Sequence, residues 1–251
     1  MLKALLFDID NTLILFDELD FFKRYLPAAG RYFVDALPAE DFPRRLVSAT
    51  RGMMLNSGTV SNLEYFLELF CAGLSLSPAE AWERFRAFYG RDFENFRSLV
   101  TLPEGVAGVF VRLAKHGFKY VLASNPIWPR DIQLMRARWA GLEDTDFHFV
   151  SHLENMNRCK PHPEYFLQIA YALGVSPGDC LMVGNDLVND MQASRVGMKT
   201  YLVQDGEEIN REGTALRRNL LPGAGDLEIA ADFQGALRNL PEAVDRLMDE
   251  R

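Results

Sequence analysis

Leu2-Lys3-Ala4-Leu5-Leu6-Phe7-Asp8-Ile9-Asp10-Asn11-Thr12-Leu13 opens the chain with a short apolar run that stops on two aspartates. A run this short, not strictly alternating, suits a strand buried on both faces of a parallel sheet. Four later runs repeat the pattern: Phe118–Ala123 before Ser124, Phe147–Val150 before Ser151, Cys180–Val183 before Gly184, and Thr200–Val203 before Gln204. Helix-period segments lie between most of them, at roughly 104–116, 129–141, 163–174 and 188–197. Pro163 suits the first position of one such helix and Gly174 its end. Strands alternating with helices predict βαβ units, and so an α/β fold: a Rossmann-like parallel sheet covered on both faces.

The long stretch between Phe7 and Phe118 breaks that alternation. Ser77-Pro78-Ala79-Glu80 has the spacing of a capping box with proline at the first helical position. Asn62–Leu74 carries Leu63, Phe66, Leu67 and Phe70 at helical spacing. Eleven of the 18 Phe fall between Phe16 and Ser98, a third of the chain, which predicts a small helical unit with its own aromatic core. The expected organisation is an α/β core of residues 1–15 and 99–251, interrupted by a helical domain over 16–98. No internal repeat or low-complexity tract appears, and Gly223-Ala224-Gly225 after Pro222 reads as a turn, without the GxGxxG of a dinucleotide site.

Composition narrows the functions. At 251 residues, 48% hydrophobic and 25% charged, the chain has ample material for a packed core. Its net charge of −8 argues against a general nucleic-acid partner, whose phosphates need Lys and Arg. A small phosphorylated metabolite remains compatible, because a metal ion and one or two placed cations reverse the field locally. Cys71, Cys159 and Cys180 are odd in number and form no CxxC, so a reducing compartment is expected. Asp8 interrupts the only leader-like start, and no apolar run approaches the roughly 20 residues that span a bilayer. A cytoplasmic protein without a membrane partner is the expectation; the oligomeric state is not legible.

Ligands of an open parallel sheet bind outside the carboxyl ends of its strands, so the polar residues closing each run should converge. They are Asp8 and Asp10, then Ser124-Asn125, then Lys160 before Pro161, and finally Gly184-Asn185-Asp186 with Asn189-Asp190. Clustered carboxylates repel unless protonated or neutralised by a cation. Oxygen donors of this kind suit Mg²⁺, which takes one or two carboxylates plus substrate phosphate and water. Lys160 and Ser124 would complete a cradle for a phosphoryl group, and an ionised aspartate can act as a nucleophile on phosphorus.

The ordered set DxDxT, S-N, K-P and G-N-D-x-x-x-D resembles the four motifs of the haloacid dehalogenase superfamily, over Asp8 to about Val203. The helical insert falls where that superfamily carries a C1 cap. The resemblance implies a Mg²⁺-dependent phosphatase acting on a small phosphate monoester. Asp8 would be the nucleophile and Asp10 the general acid and base. Ser124, Asn125 and Lys160 would bind the transferred phosphate. Asp8, the Asp10 carbonyl and either Asn185 or Asp186 would hold the metal, with Asp190 behind them. Asp10 is similar to the second aspartate of the superfamily's phosphatases and phosphomutases, which its dehalogenases lack. Motif four departs from the usual Gly-Asp, because Asn185 follows Gly184.

Rival readings are a phosphomutase of the same superfamily, a catalytically silent metal-binding scaffold, and a receiver-type signalling domain, which the motif order and the chain length disfavour. Asp144-Thr145-Asp146 repeats the DxD spacing ahead of a strand, where a solvated turn is expected. His148 and His152 fall on a strand and its exit, so structural roles are expected, and Cys159 has no positioned base to make it a nucleophile. Phe16, Asp17, Glu18, Arg51 and Asn56 are candidates to line the pocket, with packing or plain surface as the simpler role.

Overall fold

The computed structural model describes residues 1–143, 145–210, 212 and 229–249 of the chain. β1 (Ala4–Phe7), β2 (Lys119–Leu122), β3 (Phe147–Val150), β4 (Cys180–Gly184), β5 (Lys199–Val203) and β6 (Phe233–Gly235) form one sheet, ordered β3-β2-β1-β4-β5-β6. Every neighbouring pair is parallel. The order reverses between β1 and β4, the switch point beside which a doubly wound sheet binds its ligand. Phe7 sits level with Leu122 on one side and Val183 on the other. The residues following these three strands are therefore brought to one edge.

Side chains of a strand alternate between faces, and the core divides accordingly. Ala4, Leu6, Val121 and Met182 pack with α7 (Pro163–Leu173), through Tyr165, Phe166 and Ile169. Leu5, Phe7, Leu122 and Val183 face the opposite layer, which holds α5 (Val106–Leu113), α6 (Arg130–Trp139) and α8 (Leu240–Asp249). Pro163 and Gly174 occupy the expected ends of α7, the glycine in the left-handed conformation.

Two local expectations are corrected. The stretch read as a helix over 188–197 is a 3₁₀ segment, Met191–Val196, which starts only after the Asp186–Asp190 turn and stops at left-handed Gly197. β6 was not expected, because Phe233-Gln234-Gly235 is three residues without an apolar run. Asp144 of the DxD repeat and the Gly223–Gly225 turn lie outside the described residues.

Ahead of α5, four helices follow β1: α1 (Glu18–Gly30), α2 (Asp41–Met54), α3 (Asn62–Cys71) and α4 (Pro78–Arg91). Ser77 and Glu80 form the expected capping box, and Ser61 and Glu64 form a second. Phe33, Phe42, Phe70 and Phe85 bury their rings against one another. The chain enters and leaves this unit through an antiparallel bridge, where Leu15 and Thr101 exchange backbone hydrogen bonds of 2.9 Å in both directions. Apolar packing nevertheless continues across the junction, with Phe93 stacked 5.6 Å from Trp139 of α6. No described helix is long and apolar enough to cross a membrane.

Candidate active site

The carboxyl edge of β1 turns sharply. The Ile9 carbonyl accepts from the amides of Thr12, Leu13 and Ile14, and Asn11 takes a positive φ of 56°. Asn tolerates that conformation better than most residues, and here its Oδ1 also accepts from Phe16 N at 3.1 Å. Asp8 and Asp10 therefore flank a turn held by its own backbone. The Asp8 amide donates to Val183 O and the Ala123 amide to Phe7 O, which lines up the ends of β1, β2 and β4.

Asp8, Asp10, Ser124, Asn125, Lys160, Asn185, Asp186 and Asp190 all line one cavity of about 310 Å³. At its floor the Lys160 ammonium, 1% exposed, donates to Asp8 Oδ1 at 2.9 Å and to Asp190 Oδ1 at 2.6 Å. Burial works against that charge, but Asp190 and Asp8 outweigh it and hold the ammonium above its ordinary range. Burial pushes the Asp190 carboxyl up, Lys160 opposes it, and nearby Asp8 and Asp186 add to the push. Two carboxylates thus share one ammonium with Asp186 close by, an arrangement that favours a further cation.

Each neighbour has an assignable task. The Ser124 carbonyl accepts from Ser151 Oγ at 2.7 Å and from the Tyr165 hydroxyl at 2.9 Å. Ser124 lines the cavity and caps no helix, since Pro129 takes the N-cap of α6. Asn125 Oδ1 accepts from the Lys160 amide at 3.1 Å, fixing the loop that carries the ammonium. Asp186 caps the turn after β4 by accepting from Val188 N at 2.8 Å and Asn189 N at 3.0 Å. Asp190 Oδ2 accepts from Asp186 N at 3.0 Å. A Cβ at Gly184 would lie 2.2 Å from that same Oδ2, so only glycine lets Asp190 reach Lys160.

Among the described residues no three His, Cys, Asp or Glu side chains are grouped as a ready metal cage. The oxygen donors at this edge are instead the buried Asp8 and Asp190 carboxylates, backbone carbonyls and side-chain amide oxygens. One of them, Asn189 Oδ1, lines the cavity buried and without a hydrogen-bond partner. That set fits Mg²⁺, which leaves coordination places to phosphate and water.

Arg136 is the residue that sequence reasoning missed. From α6 its guanidinium pairs with Asp10 Oδ1, donates to Gln133 Oε1 at 2.8 Å, and lies 5.9 Å from the Trp128 ring. Gln133 in turn donates to the carbonyls of Asn125 and Ser151. Burial lowers Arg136 to about 10, with Asp8 opposing. Gln133 and Arg136 are polar residues on the buried face of α6, a placement visible only in the folded chain.

The remaining candidates separate. Phe16, Glu18 and Arg51 line the cavity, whereas Asp17 caps α1 by accepting from Asp20 N. Asn56 is buried away from the cavity, where it donates to Asn62 Oδ1 at 3.0 Å and fastens the insert near Arg158. His148 is exposed, and His152 pairs with Glu154. Burial pushes the Cys159 thiol up to about 12, which removes it as a nucleophile.

The family profile of haloacid dehalogenase-like hydrolases matches residues 2–197. The chain belongs to that family. The glyceraldehyde 3-phosphate phosphatase of Pyrococcus furiosus is 26% identical over 215 residues, 82% of each chain. Pyrophosphatase PpaX of Bacillus pumilus is 25% identical over 199 residues, 79% of this chain and 82% of its own. A β-phosphoglucomutase structure from Clostridium difficile shares the fold, with a TM-score of 0.56 at 17% identity over 100% of this chain and 98% of that one. The enzyme is a haloacid dehalogenase-like hydrolase of the phosphatase type.

Proposed function

We propose that this phosphatase hydrolyses a small phosphate monoester with Mg²⁺, through an aspartyl phosphate on Asp8. The observation that carries the reading is the buried Lys160 ammonium, 2.9 Å from Asp8 and 2.6 Å from Asp190, at the floor of a cavity also lined by Ser124 and Asp10. Such an ammonium neutralises charge on both the nucleophile and the group it attacks, where water cannot screen it.

Lys160, the Ser124 hydroxyl and the Asn125 amide bind and orient the phosphoryl oxygens. An Asp8 carboxylate oxygen bonds to phosphorus as the ester P–O bond breaks. Asp10 protonates the departing alkoxide. It then takes a proton from the water that attacks the same phosphorus, which releases phosphate and restores the Asp8 carboxylate. Arg136 positions Asp10 for both transfers. Asp8, the Asp10 carbonyl and Asn185 would hold Mg²⁺; Asp186 already gives its carboxylate to the turn amides, and Asp190 steadies Lys160 and the turn from behind. Bound Mg²⁺ supplies charge stabilisation for the phosphoryl oxygens.

Residues 16–98 serve as a cap that excludes water over a core of 1–15 and 99–251, with the Leu15–Thr101 bridge at the junction. A small phosphorylated metabolite is the partner, with no nucleic acid. The three cysteines, all free and buried, suit a reducing cytoplasm. The test is Asp8→Asn with a generic aryl phosphate and Mg²⁺. Phosphate release should fall at least about 10³-fold, and survival of activity would remove the mechanism. Free phosphate, rather than an isomeric sugar phosphate, separates hydrolysis from mutase chemistry.

A further inference from the structure

The catalytic cavity does not end at the charged floor. A second open cavity of about 380 Å³ shares Glu18, Phe22, Val47, Arg51, Ile127 and Trp128 with it. Six shared residues make the two spaces neighbours across a common wall. Beyond that wall the second space is bounded by Tyr25, Leu46, Met53, Phe66, Tyr89 and Leu153, all buried. Its formal charges, on Glu18 and Arg51, both belong to the shared wall. Burial pushes the Tyr25 and Tyr89 phenols above their ordinary range, so they remain neutral.

We infer that this enzyme takes phosphate monoesters whose alcohol carries an apolar ring or branched chain, and that this group occupies the aromatic pocket between α1, α2 and Trp128. The inference rests on the phosphatase reading of the site and names its substrate class. A polyhydroxylated alcohol would lose water to a wall that offers it few polar partners, whereas an apolar group gains from burial there. Packed interiors leave few spaces larger than a water molecule, and a space of this size adjoining the catalytic cavity along six shared residues suits the alcohol part of an ester whose phosphate binds there. The class differs from the short polar ester in the name of the Pyrococcus furiosus relative.

The test compares 3-phenylpropyl phosphate with ethyl phosphate and glycerol 1-phosphate, all esters of primary alcohols, on the full chain with Mg²⁺. From the free energy of burying a phenyl group, kcat/KM should favour the phenylpropyl ester by about 30-fold. A preference for either small ester overturns the inference and leaves the phosphatase intact. Thr50→Trp, which fills the pocket from α2, should reduce the preference about tenfold. Leu19→Asp, on a more exposed part of the wall, should act in the same direction and guards against a misfolded first variant.

Calorimetry with 3-phenylpropylphosphonate and methylphosphonate, which carry no hydrolysable ester, reads the same preference without turnover. If no ester is hydrolysed but the phenylpropyl compound binds more tightly, and Thr50→Trp removes the difference, the pocket stands and the phosphatase reading falls. Equal binding of the two phosphonates overturns the pocket. So does a dimer in sedimentation that buries Leu19, Phe22 and Val47 between two copies.

Discussion

The two walls of the active-site cavity are built on opposite principles. The wall on the sheet is ionic and local: Asp8, Lys160 and Asp190 are each within four residues of a strand end or in the loop after one, and hydrogen bonds fix all three. The opposite wall is aromatic and diffuse, with Phe16, Phe21 and Phe22 from the start of the helical insert and Trp128 from the loop after β2. Buried ions tolerate little change, because removing one partner strands the other. An apolar wall tolerates exchange as long as volume and shape are kept. On the proposed function, the ionic side would carry the chemistry while the apolar side would be free to set which ester enters.

Lys160→Met should bring out that difference most strongly. It leaves Asp8 and Asp190 buried without their cation, so unfolding should become easier by about 3–5 kcal/mol, with activity lost as well. Denaturant unfolding monitored by circular dichroism reads the first effect and phosphate release the second. A stable, inactive variant would mean that the ion cluster contributes to catalysis alone.

Phe85→Ala probes the other wall's foundation. The ring is 1% exposed and packs 4.7 Å from Phe33 and 5.1 Å from Phe70, so truncation should cost about 3–5 kcal/mol. One transition is expected in calorimetry, because apolar contacts run unbroken from Phe85 through Tyr89 and Phe93 to Trp139 on the sheet side. Two transitions would show that the insert and the core fold independently, and the contrast between the walls would become one between domains.

Arg136 belongs to both walls, pairing with Asp10 while its guanidinium lies near the Trp128 ring. Arg136→Met keeps the length and apolar contact but frees Asp10. kcat should fall about 10²-fold, the usual scale for misplaced acid–base catalysis, with little change in KM. A rise in KM at constant kcat would instead place Arg136 in substrate binding.

How much of this was legible follows the same division. Asp8, Asp10, Ser124 and Lys160 could be read because each closes or follows a buried strand, and parallel register brings such positions to one edge. Arg136 could not, because α6 carries Arg130, Arg136 and Arg138, and no local pattern marks the one that turns inward against Asp10. The roles within motif four also needed coordinates: Asp186 and Asn185 are adjacent, and only the hydrogen bonds show that Asp186 caps the turn. The aromatic surplus of 16–98 announced a core but not the pocket beside it. Ring contacts between helices far apart in sequence have no spacing to read.

The smallest effect is expected at the insert's helix starts, where local sequence alone sets the geometry. At Ser77 the hydroxyl accepts from Glu80 N at 3.3 Å, while Glu80 Oε2 accepts from Ser77 N at 2.9 Å. Ser77→Ala removes one half of that reciprocal cap, and the other half remains available through the Glu80 carboxylate. The loss should be about 1 kcal/mol, near the middle of the range for N-cap replacement. For a chain of this size that is a fall of roughly 2–4 °C in Tm, with kcat unchanged because α4 presents its N-terminus away from the cavity lining. A change in kcat would mean that the start of α4 transmits to the aromatic wall, and that this wall is less tolerant than its composition implies.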